Sequence, residues 1–160
     1  MAIYMKFGKI QGDATQSGYD GWINIRSFNW GLTRNFAPDQ VGRSFNREAA
    51  QAQIAQCTVT KDADASSGDI MKAAATEFKG QDCQIVFVRT GNPGEAYLSF
   101  TLSDAVVANL DVYTQGGERP VESIMIDFTK LKIECKTLDE ANVNEDNMII
   151  TYDAATGIGG

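Results

Sequence analysis

The segment from residue 95 to residue 137 constrains the fold most, because it has the pattern of two long strands joined by a tight turn. The first strand alternates polar side chains with an apolar set, Ala96, Leu98, Phe100 and Leu102. After a polar turn at residues 116–120, the apolar parity changes from Ile124, Ile126 and Phe128 to Leu131, Ile133 and Cys135. A slip of one residue turns side chains to the other face of a sheet. We therefore predict a bulge or bend near Thr129, in long strands that suit either a sheet that curls on itself or one that passes between two sheets.

The length and charge of the chain limit its class and its partners. With 160 residues, of which 43% are hydrophobic, the chain can build one domain spanning residues 1–160. Its net charge of −7 disfavours broad contact with nucleic acid or an anionic membrane, because both need clustered Lys and Arg. The N-terminus lacks a basic region followed by an apolar core. We therefore expect no nucleic-acid partner, no membrane partner and no ordinary signal peptide.

The residue types that carry most enzyme chemistry are missing or scattered. The chain has no histidine, which is the commonest general base and metal ligand. Cys57, Cys83 and Cys135 are far apart in apolar runs, so we expect buried free thiols rather than a disulfide or a zinc site. The 62–67 segment lacks the pattern of a calcium loop, and the 116–120 turn lacks that of a phosphate loop. We therefore predict no catalytic, cofactor-binding or metal-binding residue, and we do not expect an enzyme.

One helix is predicted, over about residues 67–79. Ser66 or Ser67 can cap it, Asp69 places negative charge in its first turn, and Gly80 follows it. Its apolar side chains recur at helical spacing at Ile70, Met71, Ala74, Ala75 and Phe78. The closing residues 154–160 are expected to form a flexible tail.

Residues 34–49 form a long segment without a clear hydrophobic period. Loops of this length in compact domains are usually functional or disordered. The segment carries basic and aromatic side chains of the kind enriched in protein interfaces, namely Arg34, Phe36, Arg43, Phe45 and Arg47. The residues alone leave two interpretations open, a mobile surface loop and an arm that contacts another protein.

Several short motifs, in this order and spacing, resemble those of the Hcp family, the haemolysin-coregulated proteins of bacterial type VI secretion systems. The first is the strand of residues 3–12 that ends in Gly, and the second is Ile23-x-Ile25-x-x-Phe28-x-Trp30-Gly31. Thr58-Val59-Thr60-Lys61 precedes the predicted helix. The last is Gly116-Gly117-x-Arg119-Pro120-x-Glu122, followed by Ile126-x-Phe128. The resemblance covers nearly the whole chain.

The resemblance implies a mainly β fold, a single-domain β-barrel or two-sheet sandwich with one flanking helix, as in Hcp proteins and phage tail tubes. It implies a structural, non-enzymatic subunit without cofactors that forms homo-hexameric rings. These rings would stack into the inner tube of the secretion system, inside a contractile sheath and beneath a VgrG-like spike protein, and could hold effector proteins in their lumen. The protein would be cytoplasmic before firing and then be secreted without a signal peptide.

The resemblance also assigns roles to particular positions. The 34–49 loop, with Arg34, Phe36, Arg43, Phe45 and Arg47, would stack one ring on the next, although its sequence is not the Gly/Ser-rich version common in the family. The ring wall and its interfaces would involve Trp22, Arg26, Trp30, Arg119 and Glu122. Two alternatives stay open at this point. One is a phage-type tail-tube subunit, and the other is a carboxylate-dependent hydrolase or carbohydrate-binding β-sandwich.

Overall fold

Strand β8 (Ala96–Tyr113) organises the fold, because its two halves belong to different sheets. A computed structural model describes residues 1–34, 52–91, 94–138 and 145–160 of the chain. The other elements are β1 (Ala2–Phe7), β2 (Ile23–Ile25), β3 (Ser27–Asn29), β4 (Leu32–Arg34), β5 (Ala52–Ile54), β6 (Cys57–Asp62), α1 (Ser67–Thr76), β7 (Gln81–Val88), β9 (Val121–Asp127), β10 (Lys130–Leu138), β11 (Glu145–Asp153) and β12 (Ile158–Gly159).

Two antiparallel sheets share β8. Sheet A has the order β2-β1-β7-β8-β10-β11-β12, and sheet B has the order β3-β6-β9-β8. A separate two-stranded ladder joins β4 to β5. The described strands do not close into a barrel, so of the two architectures expected from the sequence the two-sheet one is observed. The mainly β fold with one flanking helix is confirmed.

The predicted parity change near Thr129 marks a point where the chain leaves one sheet for the other. Strands β9 and β10 are separated by Phe128 and Thr129, and they pair with opposite halves of β8. Strands β2 and β3 are separated by Arg26, whose N–H donates to the carbonyl of Thr60 at 2.7 Å. The predicted bend near Thr129 is therefore confirmed, and Arg26 marks a second point at which the chain changes sheet.

The core lies between the sheets and follows the period-2 pattern of the strands. Its most deeply buried side chains come from both sheets and include Met5, Ile23, Ile85, Leu102, Val59, Ile124 and Ile126. Burying such apolar surface contributes roughly 25 cal/mol per Å², so this layer is the main source of stability. A smaller cluster lies on the outer side of sheet A, where Tyr4 stacks on Tyr19 with ring centroids 5.1 Å apart.

The helix prediction was right in place but wrong in its end and in its apolar stripe. Helix α1 ends at Thr76, before the predicted residue 79. It buries Ile70 and Ala73, whereas Phe78 is 96% exposed. The chain is already extended at Glu77, so Phe78 no longer lies on a helical face. Among the described residues no helix is both long and apolar enough to cross a membrane.

Residues 154–160, expected to be a flexible tail, instead fold back as a turn and strand β12. Thr151 and Gly160 exchange two backbone hydrogen bonds at 2.8 and 2.9 Å, and the Thr151 hydroxyl also donates to the Gly160 carbonyl. Asp153 accepts hydrogen bonds from the N–H groups of Ala155 and Thr156 within the turn. The C-terminus thus adds a short edge strand to sheet A.

Candidate functional site

The middle of the outer face of sheet B carries mostly small polar side chains, while the next row places Val121 and Tyr113 beside Asp62. Cross-strand register aligns one row of Ser27, Thr60, Ser123 and Asp111, and a second row of Asn29, Thr58, Met125 and Asn109. Within these rows the hydroxyls of Ser27 and Thr60 lie 2.5 Å apart, and Asn109 donates to Asp111 at 2.9 Å. We call these eight side chains the polar face. The hydroxyls, amides and one carboxylate on this face can form hydrogen bonds with water.

The inner face of sheet A extends past the core onto strands β10 and β11. Side chains directly opposite each other in a sheet point to the same face, and register places one row through Ile23, Met5, Ile85, Phe100, Ile133 and Ile150. Its members become more exposed along the row, from 0% at Ile85 to 7% at Phe100 and 48% at Ile150. The parallel row through Phe87, Leu98 and Cys135 ends at Met148, which is 64% exposed. We call the outlying part, Ile133, Cys135, Met148 and Ile150, the flange face.

The short β4–β5 ladder is the base of the predicted stacking loop. Arg34 is the last residue of β4 and pairs with Ala52 of β5. The Tyr152 hydroxyl on β11 donates to the Ala52 carbonyl at 3.2 Å, which ties this ladder to sheet A. Arg34 and its neighbours Leu32 and Thr33 are exposed. The other predicted stacking residues, Phe36, Arg43, Phe45 and Arg47, lie outside the described residues.

The five residues predicted for the ring wall lie in different places. Trp22 packs edge-on against Tyr19 on the outer side of sheet A, at 5.2 Å between ring centroids. Trp30 is half-buried at the margin of the core, 5.6 Å from the ring of Phe100. The remaining three are the exposed Arg26 and Arg119 and the buried Glu122. Arg26 pairs with Asp62 across a 3.1 Å surface contact. Their roles in a ring stay predictions.

Glu122 belongs to a buried charge cluster that the sequence interpretation missed. Lys61 is 0% exposed, and its ammonium lies 2.6 Å from the Glu122 carboxylate and 2.8 Å from that of Asp64. The ammonium also donates to the Asp62 carbonyl at 2.8 Å and to the Ser67 hydroxyl at 3.3 Å. With 1% of its surface exposed, the Glu122 side chain has almost no atom with which to contact a neighbouring molecule.

This cluster holds the start of α1 against sheet B. Asp64 accepts from both the N–H and the hydroxyl of Ser66, and the Ser67 hydroxyl accepts from the Asp64 N–H at 2.9 Å. Burial raises the pKa of the Asp64 carboxyl, but the hydrogen bonds from Lys61 and Ser66 outweigh burial and leave that pKa below its ordinary value. A signal was present in the sequence, because Lys61 and Glu122 occupy apolar-parity positions of β6 and β9. Their side chains must therefore face the core.

The thiols Cys57 and Cys83 are buried as predicted, while Cys135 is only half-buried, and all three are free. Burial raises the pKa of Cys57 to about 12 and also raises that of Cys83 well above its ordinary value. No group of three or more His, Cys, Asp or Glu side chains in the described part of the chain could hold a metal ion.

Solved structures with a similar fold are type VI secretion proteins. The chain shares its fold with a structure described as "Structure of a type six secretion system protein", with a TM-score of 0.88 at 18% identity over 99% of both chains. Hcp1 from Salmonella typhimurium matches with a TM-score of 0.77 at 17% identity over 99% of this chain and 98% of its own. A type VI secretion system effector from Yersinia pestis matches with a TM-score of 0.73 at 16% identity over 94% and 98%. At identities this low, the similarity shows a shared fold only.

The family follows from the sequence itself. Residues 4–135 match the family model described as "Type VI secretion system effector, Hcp", and this stretch is most of the chain. The protein therefore belongs to the Hcp family, the secreted tube proteins of type VI secretion systems, and the resemblance drawn from the motifs is confirmed. No curated protein matches the chain.

Proposed function

We propose that this protein is a structural, non-enzymatic subunit of the type VI secretion inner tube that closes into a hexameric ring. Besides family membership, the polar face of sheet B is the observation that supports this proposal. In a ring with sheet B turned inward, six copies of this face would line a water-filled channel. Two of its eight members illustrate the chemistry, since Ser123 presents a hydroxyl and Asn109 an amide.

A channel wall of this kind suits passage and storage of protein cargo. Hydroxyl and amide groups form hydrogen bonds with water and with cargo. They do not provide the deep apolar surface that would hold a passing chain tightly. Met125, half-buried in the middle of the polar face, is the one large apolar side chain among its eight members. Effectors would therefore be held in the lumen by many weak contacts rather than by one pocket.

We assign stacking of rings to the loop that leaves β4 at Arg34. The ladder between β4 and β5 fixes both ends of this loop against sheet A through the Tyr152 hydrogen bond to Ala52. Deletion of residues 36–45 is expected to spare ring formation and to shorten tubes. Electron microscopy showing unchanged tube lengths would count against this role.

The remaining partners follow from the tube assignment. The stacked rings would lie inside the contractile sheath and beneath a spike protein, and the subunit would wait in the cytoplasm until firing expels it. Catalysis is not required for any of these roles. The alternative as a hydrolase predicts instead a monomer with paired carboxylates at a solvent-lined cleft.

The experiment that tests the proposal is the mass of the protein in solution. Light scattering after size exclusion should give a species near six times 17.4 kDa, and negative-stain images should show a central hole. A monomer at every accessible concentration would overturn the ring. Secretion that persists in a strain lacking the contractile sheath would overturn the tube assignment.

A further inference from the structure

Two neighbouring pockets on the outer face of sheet A form one groove. The larger has a volume of about 930 Å³ and is lined by α1 and by strands β1, β7 and β8. The smaller has a volume of about 300 Å³ and lies beside Tyr19 and Trp22. Gln84 lines both pockets and joins them. We call the two pockets together the outer groove, and its volume is that of a site for a small organic ligand.

The floor of the outer groove consists of neutral hydrogen-bonding side chains. Gln84 pairs directly with Thr101 across β7 and β8, and Ser99 and Ser103 lie two residues to either side of Thr101, so they share its face. Ser99 is only 8% exposed. Within the described part of the chain, none of these four side chains has a hydrogen-bond partner. Since sheltered polar groups need partners, the floor favours a ligand that brings hydroxyl or amide groups of its own.

Aromatic rings wall one end of the outer groove, and charges of both signs line its rim. Tyr19, Trp22 and Tyr97 surround the smaller pocket, and the Lys6 ammonium lies 5.9 Å from the centre of the Trp22 ring. The charged residues of the groove are Lys6, Lys9, Lys72, Lys136, Asp69, Glu77, Asp82 and Glu134. Four lysines and four carboxylates cancel, although the whole chain has a net charge of −7. The groove therefore has no net charge that would select an anion or a cation, and its polar floor disfavours a lipid.

We propose that the outer groove binds a neutral oligosaccharide. The C–H faces of a sugar ring pack on aromatic side chains, and its hydroxyls form hydrogen bonds with amide and hydroxyl groups. The groove provides both on one surface, with Tyr19 and Trp22 at one end and Gln84 and Thr101 on the floor. The floor from Ser99 to Ser103 is roughly 13 Å long at about 3.3 Å per residue, which accommodates more than one sugar ring. This binding does not depend on ring formation, and its failure would leave the proposed function standing.

Calorimetry with two uncharged probes, cellotetraose and tetra-N-acetylchitotetraose, tests the proposal. We expect saturable binding of at least one probe at millimolar concentrations, because the groove is open and its contacts are individually weak. Binding of neither probe would overturn the proposal. A carboxylate-bearing hyaluronan tetrasaccharide that binds more tightly than both would overturn the neutral class of ligand. An uncharged Gly-Ser peptide that binds more tightly than both would assign the groove to protein and would also overturn it.

Matched variants locate the binding on the floor of the outer groove. Thr101→Val and Ser99→Ala each remove one floor hydroxyl and should weaken binding about twofold to tenfold, the effect of losing one hydrogen bond. Thr58→Val makes the same change at another half-buried threonine, on the polar face of sheet B, and should leave binding unchanged. Circular dichroism verifies that each variant is folded. Unchanged binding in both floor variants, or equal loss in all three, would overturn the proposal, because binding would then not depend on this floor.

Discussion

The ammonium of Lys61 lies 2.6 Å from the carboxylate of Glu122, and neither side chain has more than 1% of its surface exposed. The two residues face each other directly across strands β6 and β9. A buried charge is tolerable only while it is paired. This pair therefore constrains the register of sheet B as well as the position of α1, which reaches the ammonium through Ser67.

Removing one partner should be far more damaging than removing both. Lys61→Met leaves Glu122 and Asp64 as buried, uncompensated carboxylates and should cost about 3–5 kcal/mol of unfolding free energy. The double variant Lys61→Met with Glu122→Leu should recover part of that loss, because it removes one of the two uncompensated carboxylates while Asp64 keeps its hydrogen bonds from Ser66. Urea unfolding measures both values.

A matched control for this experiment is the surface pair of Arg26 and Asp62. Both side chains are largely exposed, at 57% and 44%, so Asp62→Asn should change the unfolding free energy by less than about 1 kcal/mol. Equal effects of Lys61→Met and Asp62→Asn would show that the buried cluster has no special energetic role.

The low pKa of Asp64 makes part of the stability dependent on pH. Because the folded-state pKa is below the ordinary value of 3.8, this carboxylate stabilises the fold above pH 4, and that contribution disappears as the pH falls through the folded-state pKa. Asp64→Asn should therefore destabilise the protein at pH 7, and the difference from the wild type should shrink only as the pH falls below 3.8 toward the lowered folded-state pKa. Urea midpoints measured across this range test it, and a constant difference would contradict the assignment.

The sequence was sufficient for features that depend on local periodicity. Alternation along residues 96–102 predicted β8, and the parity change predicted a bend near Thr129, where the chain crosses between the sheets. It was not sufficient for the exposure of Phe78, because the end of α1 depends on how residues 77–80 pack into the rest of the fold. The flange face was also not predicted, because the position of Ile150 beside Ile133 depends on the register between β10 and β11.

Two glycines should respond in opposite directions to replacement by alanine. A Cβ on Gly80 would lie 2.5 Å from the Cα of Asp104, the residue that bends β8 with a φ of 51°. Gly80→Ala should therefore cost about 1–3 kcal/mol through overpacking. Gly68 in α1 has open space around it, so Gly68→Ala should gain up to about 1 kcal/mol of helix stability. Thermal unfolding of both variants would show the sign, and a stabilised Gly80→Ala would refute the packing argument.

The three thiols should differ in reactivity within the folded chain. Cys57 and Cys83 are buried and have raised pKa values, so both are held as unreactive thiols. Iodoacetamide at pH 8 should modify them only in denaturant, while Cys135 reacts in the folded monomer. Because all three are free, a reducing agent should leave the melting temperature unchanged. A large drop on reduction would reveal a disulfide, which typically contributes about 2–4 kcal/mol.

The direction in which sheet B faces can be tested by the size of a labelling reagent. Asp111 is exposed on the polar face, so a thiol introduced by Asp111→Cys should point into the channel of a ring. It should react with small iodoacetamide at all six copies but with bulky polyethylene-glycol maleimide at few of them, because the first chains attached fill the channel. Phe78→Cys, at a position 96% exposed beside α1, is the matched control and should react fully with both reagents. Peptide mass spectrometry separates these thiols from Cys135, and full modification of position 111 by the bulky reagent in intact rings would place the polar face on the outside.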